Sequence, residues 1–362
     1  MMSKIRRYLL YTLLLTLWGC ASAQKVKLYD STTQTENKVV YTLPLTELYL
    51  LIESEVTEET PGPLALYAEQ YLGTTGTLLE PATHYRLRGI KLESYGVPDT
   101  EQRYTIDINS RSNATSVALT EDGILVGINC DHPEVPQLPT TQRPAIATGA
   151  STSSIPLPPE YIHATSDATR AKVLAQEIYD ARDSRNLVIS GESEQPFADG
   201  EALRLALERL DKQEKAFTEL FNGTKKSAVG TELVMGISAT KEGRSVVARF
   251  SKQLGLLPAD DLRGAPIYLD LKVTEKADEL DERATKKLEK RLQKGVVYRV
   301  PGRAKAVITY QGKVLSEVEI AVGQLGSLEA LDMVLFRTKG KRTEVQVYPS
   351  NGGLQSIQER DI

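Results

Sequence analysis

Asp260-Asp261 is the pair in this chain best suited to chemistry, because adjacent carboxylates can share a proton or hold a cation. The flanking Leu256-Leu257-Pro258-Ala259 and Leu262-Arg263-Gly264 read instead as a capped turn between strands, with Arg263 available to neutralise the acid. Gly223-Thr224-Lys225-Lys226-Ser227 ends like a phosphate-binding loop, yet Lys225 stands where glycine must precede Lys-Ser, and no apolar strand leads into it. The reading is a helix C-terminus whose lysines complement the dipole. His84, His132 and His163 are the only histidines, and none is spaced i, i+3 or i, i+4 from another, which excludes a His-His metal site on one helix. Each is expected on the surface or in a loop, not as a catalytic base. Cys130, at a strand end, is expected to be a buried small residue; a reactive thiol is the second reading. There is no G-x-S-x-G elbow, HExxH, CxxC or EF-hand ladder. No catalytic, cofactor-binding or metal residue is therefore assigned, and no cofactor is expected.

The chain opens with Lys4, Arg6 and Arg7 before the apolar run Tyr8–Leu17, which is too short to span a bilayer and reads as a secretory signal. Ala21 and Ala23 supply the small-x-small pair for cleavage before Gln24; the rival reading is a lipobox, Leu17-Trp18-Gly19-Cys20, with Cys20 lipidated. Trp18 fits a lipobox poorly, so cleavage before Gln24 is preferred. Cys130 would then be the only thiol, no internal disulfide could form, and stability must come from burial. Losing Lys4, Arg6 and Arg7 makes the formal net charge of −4 more negative by three, which is no footprint for nucleic acid. No other apolar run reaches the length of a membrane span.

Period-two alternation marks strands from Val39 to Ile128, among them Tyr49–Glu53, Tyr85–Arg88, Ile90–Glu93 and Tyr104–Ile108. Gly89 breaks this pattern and predicts a bulge; Pro63–Leu72 before Gly73 predicts a short helix. Asp131–Pro159 holds seven prolines among Thr, Ser and Ala and reads as a linker or loose loop. A helical hairpin follows. Its first stripe is Ala171, Leu174, Ala175, Ile178 and Ala181; its second is Leu203, Leu207, Leu210, Phe217 and Leu220, with Asp199 as N-cap and Gly223 as stop. Strand period returns over Thr231–Val273 and Val296–Ile357, around a charged, helix-prone Asp278–Lys294. Lys286–Lys294 is basic on most faces and reads as a solvated helix, with anionic lipid as the other possibility. Val39-Val40-Tyr41-Thr42-Leu43-Pro44 is echoed by Val296-Val297-Tyr298-Arg299-Val300-Pro301, and Gly123–Ile128 by Gly352–Ile357, the pattern two related β modules would leave. The expected fold is α+β and β-dominated: a signal (1–23), a sandwich-like β module (24–131), a Pro/Ser/Thr-rich linker (132–164), a helical hairpin (165–225) and a second β module (226–362).

The blocks "VVYTLPLTELYL", "PGPLALYAEQYLG", "YRLRGIKLESYGVPD", "ADGEALRLALERLDKQEKAFTELF" and "VVYRVPGRAKAVITYQGK" resemble, in this order, a family of secreted Bacteroidetes proteins, the domain-of-unknown-function 4831 family. The resemblance spans the chain beyond the signal, implies a location in a Gram-negative cell envelope, favours cleavage before Gln24, and transfers no catalytic or binding residue. The expected function is non-enzymatic: a binding or scaffold protein in the periplasm or at the periplasmic face of the outer membrane. Strand edges and some of the 16 tyrosines would take an envelope protein partner, or a glycan. A carboxylate-dependent glycan hydrolase and an adhesin or fimbrial subunit are the alternatives, since carboxylates paired by folding leave no motif.

Overall fold

The computed structural model describes residues 26–30, 38–107, 116–130, 135, 137–146, 155–192, 200–336 and 340–361, with 26–30 and 107 as backbone only. The signal segment, His132 and Asp199 lie outside them. Two long hairpins dominate, β2 (Lys38–Thr60) with β3 (Ala82–Asp107), and β10 (Gly295–Tyr310) with β11 (Lys313–Asp332). The period of two in β2 fixes its faces: Leu48, Leu50, Ile52, Ser54 and Val56 are buried, while Leu51, Glu53 and Glu55 turn outward. Tyr49 is buried out of turn, where the pairing of β2 with its other neighbour shifts between Leu48 and Leu50. The bulge at Gly89 is present: Glu53 faces Gly89 and Ser54 faces Leu87, leaving Arg88 as the extra residue.

Three antiparallel sheets result, confirming the β-dominated α+β class. One has the order β3-β2-β6, with β6 Thr224–Ser238. The second is β11-β10-β9-β7-β8, with β7 Gly243–Ser251, β8 Gly255–Leu257 and β9 Ala265–Glu275. Their inner faces meet in one core, where Leu48, Leu50, Ile52 and Leu92 pack with Phe250, Ile267, Leu269 and Ile308. The third is β1-β4-β5-β12-β13, with β1 Val26–Asp30, β4 Ser116–Thr120, β5 Leu125–Ile128, β12 Lys341–Val347 and β13 Leu354–Asp361. Its Leu119, Leu125 and Val345 form a second core with Val39, Tyr41 and Leu43 from the start of β2, Val296 and Val297 from β10, and Phe336 from the 3₁₀ turn after β11. The sheets are thus built across the stretches 24–131 and 226–362: β6 completes the sheet of β2, and β12 pairs with β5.

The echo in sequence is matched in space. The Thr42 N–H donates to the Gly123 carbonyl at 2.8 Å, and the Arg299 N–H, in the same place of the repeated hexapeptide, donates to the Gly352 carbonyl at 2.8 Å. Each forms an isolated parallel bridge with the next residue of the turn, Thr42 with Ile124 and Arg299 with Gly353. Gly123 (φ +82°) and Gly352 (φ +74°) both occupy the left-handed region that these turns demand and side chains disfavour. β2 runs between antiparallel neighbours β3 and β6, as β10 does between β11 and β9. The same arrangement, a long hairpin bridged to a Gly-turn hairpin, thus occurs in both halves.

The helices brace one end. A 3₁₀ turn at Ala65–Tyr67 leads into α1 (Ala68–Leu72), so the expected helix starts two residues later than Pro63 and stops, as expected, at Gly73 (φ +68°). Following α2 (Pro159–His163), α3 (Asp167–Ser190) and α4 (Gly200–Asn222) form the antiparallel hairpin. All five residues of the first stripe are buried, whereas in α4 only Phe217 and Phe221 are; Leu203, Leu207 and Leu210 stay half-buried because the third core, with Leu64 and Ala68, covers only the root. Arg182 and Arg185 both reach Glu214 across the hairpin, at 2.6 and 2.8 Å. The Pro-rich stretch is not loose where it is described: Gln142 exchanges two 2.7 Å backbone bonds with Thr231, Arg143 pairs with Glu232 at 2.9 Å, and buried Pro144 lies over Gly230. It covers part of the outer edge of β6, the usual protection of an edge strand. The charged segment folds as α5 (Glu282–Leu292), capped by Asp281, which accepts from the Ala284 N–H at 2.6 Å.

Candidate functional site: the polar junction between the hairpins

Where the two long hairpins cross, strand pairing is interrupted at Leu43 and at Pro301, and side chains supply further links to the backbone. The Gln324 side chain does this literally: its Oε1 accepts from the Thr46 N–H and its Nε2 donates to the Thr46 carbonyl, both at 2.9 Å. The Thr46 hydroxyl donates to the Ser350 carbonyl and accepts from the Gly323 N–H, each at 3.0 Å, tying both hairpins to the β12–β13 turn. Beside it lies an ion pair of two buried side chains, Arg299 to Asp99 at 2.6 Å. Burial pulls the guanidinium below its ordinary range, and Asp99 opposes that shift. Tyr41 completes the junction, its hydroxyl donating to the Val297 carbonyl at 3.0 Å and accepting from the Val297 N–H at 2.8 Å. Gly96 permits the approach, since a Cβ there would stand 2.0 Å from the Pro349 carbonyl oxygen. Asp99 and Arg299 neutralise each other inside packed protein, which makes the junction a brace, not a reaction site. Sequence reasoning missed these residues because the pair is separated by 200 positions. The one available signal was Arg299 itself, a charge where the first copy has Thr42.

The residues singled out in the sequence resolve into structure. Asp261 accepts from the Arg263 backbone and guanidinium at 3.1, 3.0 and 2.6 Å, the capped turn expected, and that partner holds its carboxyl down at about 2. Lys225 and Lys226 do not close a helix: α4 ends at Asn222, Gly223 turns at φ +78°, and both lysines stand in β6, with Lys225 bonded to Glu59 directly opposite at 2.8 Å. The dipole reading fails because the chain reverses at Gly223 into the sheet. His84 and His163 are exposed. Cys130 is buried, its thiol donating to the Val345 carbonyl at 3.1 Å, and burial pushes its pKa up, which suits structure and not nucleophilic attack. No group of three metal-binding side chains converges among the described residues.

The tyrosine-bearing face also spends its polar groups internally. On the outer side of the β3-β2-β6 sheet, Tyr49 donates to Glu93 and Tyr95 to Glu47, the latter at 2.5 Å, across directly paired positions, with the two rings 6.0 Å apart. Burial and its carboxylate partner raise the Tyr95 hydroxyl to about 12. Glu93 is held below the usual carboxylate range first by Lys91 and then by Tyr49. A groove of about 430 Å³ on the other sheet brings Glu275 and Glu319 together, but both bind Arg303, at 3.2 and 3.3 Å. A glycosidase needs one carboxyl free to give a proton and another to attack or activate water. Glu275 and Glu319, tied to one guanidinium on an open surface, do not supply that.

Fold and junction together define a β-dominated α+β protein with two similar hairpin arrangements tied together by buried polar contacts. The chain belongs to the family described as a domain of unknown function, DUF4831, whose model matches residues 37–355. No curated protein and no solved structure matches it. No helix among the described residues is long and apolar enough to cross a membrane.

Proposed function

We propose that this is a non-enzymatic binding or scaffold protein of the cell envelope, exported by the Tyr8–Leu17 signal and cleaved before Gln24, working in the periplasm or at the periplasmic face of the outer membrane. The observation that carries the binding role is the pair of long edge strands. Among the described residues, β3, 26 residues, and β11, 20 residues, each have a strand neighbour on one side only, with the other side partly occupied where the Tyr85 N–H donates to the Lys252 carbonyl and the Leu325 carbonyl accepts from the Ala277 N–H. A free edge is a row of backbone donors and acceptors able to take an added strand from a protein partner. The β11 edge begins beside Val314 and Leu315, 58% and 38% exposed, which offers apolar anchorage next to those groups. The internal pairing of Tyr49 and Tyr95 leaves the edges, more than the tyrosine face, as the contact surface.

The test is capture of the tagged chain from cross-linked envelopes, with mass spectrometry of co-purifying proteins and of the N-terminus, alongside a Leu315→Pro variant. Leu315 is the extra residue of a bulge, where proline is tolerated in an edge strand. The reading expects a reproducible partner with the wild type, loss of that partner with Leu315→Pro at unchanged unfolding midpoint, and a chain starting at Gln24. Equal recovery with both proteins, or no partner at all, would refute it.

A further inference from the structure

We infer that α5 is a docking surface for an anionic phospholipid bilayer. The chain carries a net charge of −4, yet between residues 283 and 294 it holds six cationic side chains and one acidic. Folding sorts them. Lys286 is engaged by Glu282 at 2.8 Å and Arg291 by Glu329 at 2.5 Å. Arg283, Lys287, Lys290 and Lys294, spaced i, i+4, i+7 and i+11, form one exposed stripe along the helix and its closing turn, with no salt bridge among the described residues. The stripe Ala284, Leu288 and Leu292, about 130° round the helix from it, is half-buried, and Leu292 packs on the second core, so the basic stripe lies on a solvent-facing flank, with Glu282 and Glu289 beside it. At a helical rise of 1.5 Å per residue it presents a straight line of charge about 16 Å long.

The chemistry of this stripe selects its partner. Three of its four members are lysines, flexible point charges that suit a diffuse field of headgroups more than bidentate recognition of one anion. No aromatic residue occurs from 276 to 294, so nothing there would stack on the bases of a nucleic acid. Leu288 and Leu292 turn inward, so the outer face has no apolar or aromatic anchor of the kind that dominates protein interfaces. A charged membrane surface asks for neither, only for several cations brought within a Debye length of it at once. This goes beyond the protein-partner reading and does not depend on it, since the strand edges take no part.

The experiment is co-sedimentation of the full chain with vesicles of phosphatidylcholine alone and of phosphatidylcholine with a third phosphatidylglycerol, at low and at high salt. Neutral vesicles measure any binding through the apolar run Tyr8–Leu17. A triple variant, Lys287→Gln, Lys290→Gln and Lys294→Gln, is compared with a triple that removes the same charge from exposed sites elsewhere, Lys241→Gln, Lys252→Gln and Lys313→Gln. Each lysine near an anionic surface contributes roughly fivefold, so the helix variant is expected to keep about a hundredth of the charge-dependent partition. The control triple should keep most of it, and high salt should abolish it in both. Equal loss in the two triples, salt-insensitive binding, or no preference for phosphatidylglycerol would overturn the inference. So would retention of the wild-type chain by immobilised polyglutamate as strongly as by the vesicles, which would assign the stripe to an acidic polypeptide.

Discussion

Removing Asp99 tests whether the junction holds the two hairpins together. Arg299 and Asp99 are each 8% exposed, so Asp99→Ala leaves a guanidinium in the interior. Its other contact in the junction is the Gly323 carbonyl at 3.5 Å, at the limit of a hydrogen bond, and its Nε has no partner. Breaking a buried pair costs about 3–5 kcal/mol, and so little residual solvation places this case toward the upper end. The double replacement Asp99→Leu/Arg299→Met removes both charges while keeping most of the volume, and should return to within about 1–2 kcal/mol of the parent. Urea unfolding at constant m-value measures all three proteins. The expected result is a double variant more stable than Asp99→Ala. If Asp99→Ala costs no more than a surface substitution, or the double variant is the least stable of the set, the ion pair is not what holds this crossing.

Tyr41→Phe deletes a hydroxyl that satisfies both the N–H and the carbonyl of Val297, and should cost about 1–3 kcal/mol in urea unfolding; Tyr298→Phe, at the equivalent place of the second copy, should cost under about 0.5 kcal/mol, and equal costs would refute the assignment. Gly230→Ala places a Cβ 2.2 Å from the Pro144 nitrogen, so it should lift the strap at 137–146 off β6, read as faster amide exchange at Gln142 and Thr231 and new protease cleavage there with the rest of the fold retained. Unchanged exchange would mean that the strap is not seated as described. The Asp261 carboxyl, held at about 2 against an ordinary value of about 3.9, stabilises the turn above the ordinary value and loses that contribution as pH falls through about 2. Carbon-detected NMR titration should find that low midpoint in the wild type and a higher one after Arg263→Gln, still below about 3.9 because the backbone N–H of residue 263 and Arg249 remain; the same midpoint in both would refute the partnership.

What the sequence disclosed was whatever depends on neighbours along the chain. Alternation found β2 and β3 because one face of each is wet; Gly89 announced its bulge, and the stripe from Ala171 to Ala181 announced its buried face. The hexapeptide echo was legible because the same turn contact, Thr42 to Gly123 and Arg299 to Gly352, constrains both copies. What it hid was pairing at a distance. That β12 joins β5 and that Gln324 completes the backbone of Thr46 are decisions of topology, which leave no period or motif. The Pro-rich stretch is a loop where it is described, but its seating was hidden for a related reason: Gly230, 86 positions after Pro144, supplies the flat seat. Lys225 and Lys226 were assigned to a helix end because their charge suits either a dipole or an opposing Glu59, and sequence alone does not choose.

The duplication separates what the fold needs from what the protein has added. Both halves carry the long hairpin and the bridge to a Gly-turn; the third antiparallel strand comes after the hairpin in the first half (β6) and before it in the second (β9), and the faces of the two halves close on shared cores. Two elements have no such excuse. The α3–α4 hairpin follows only the first copy, and its far half, where Leu187, Ile189 and Leu205 are 46%, 68% and 53% exposed, projects beyond the core that seats its root. The α5 helix stands between β9 and β10, at the start of the second copy. Among the described residues, neither insertion contributes a buried residue to the two sheet cores, and Leu292 packs on one of them half-buried. Elements that the framework does not require are free to carry a surface of their own, and α5 is the one whose charge is sorted onto one exposed stripe.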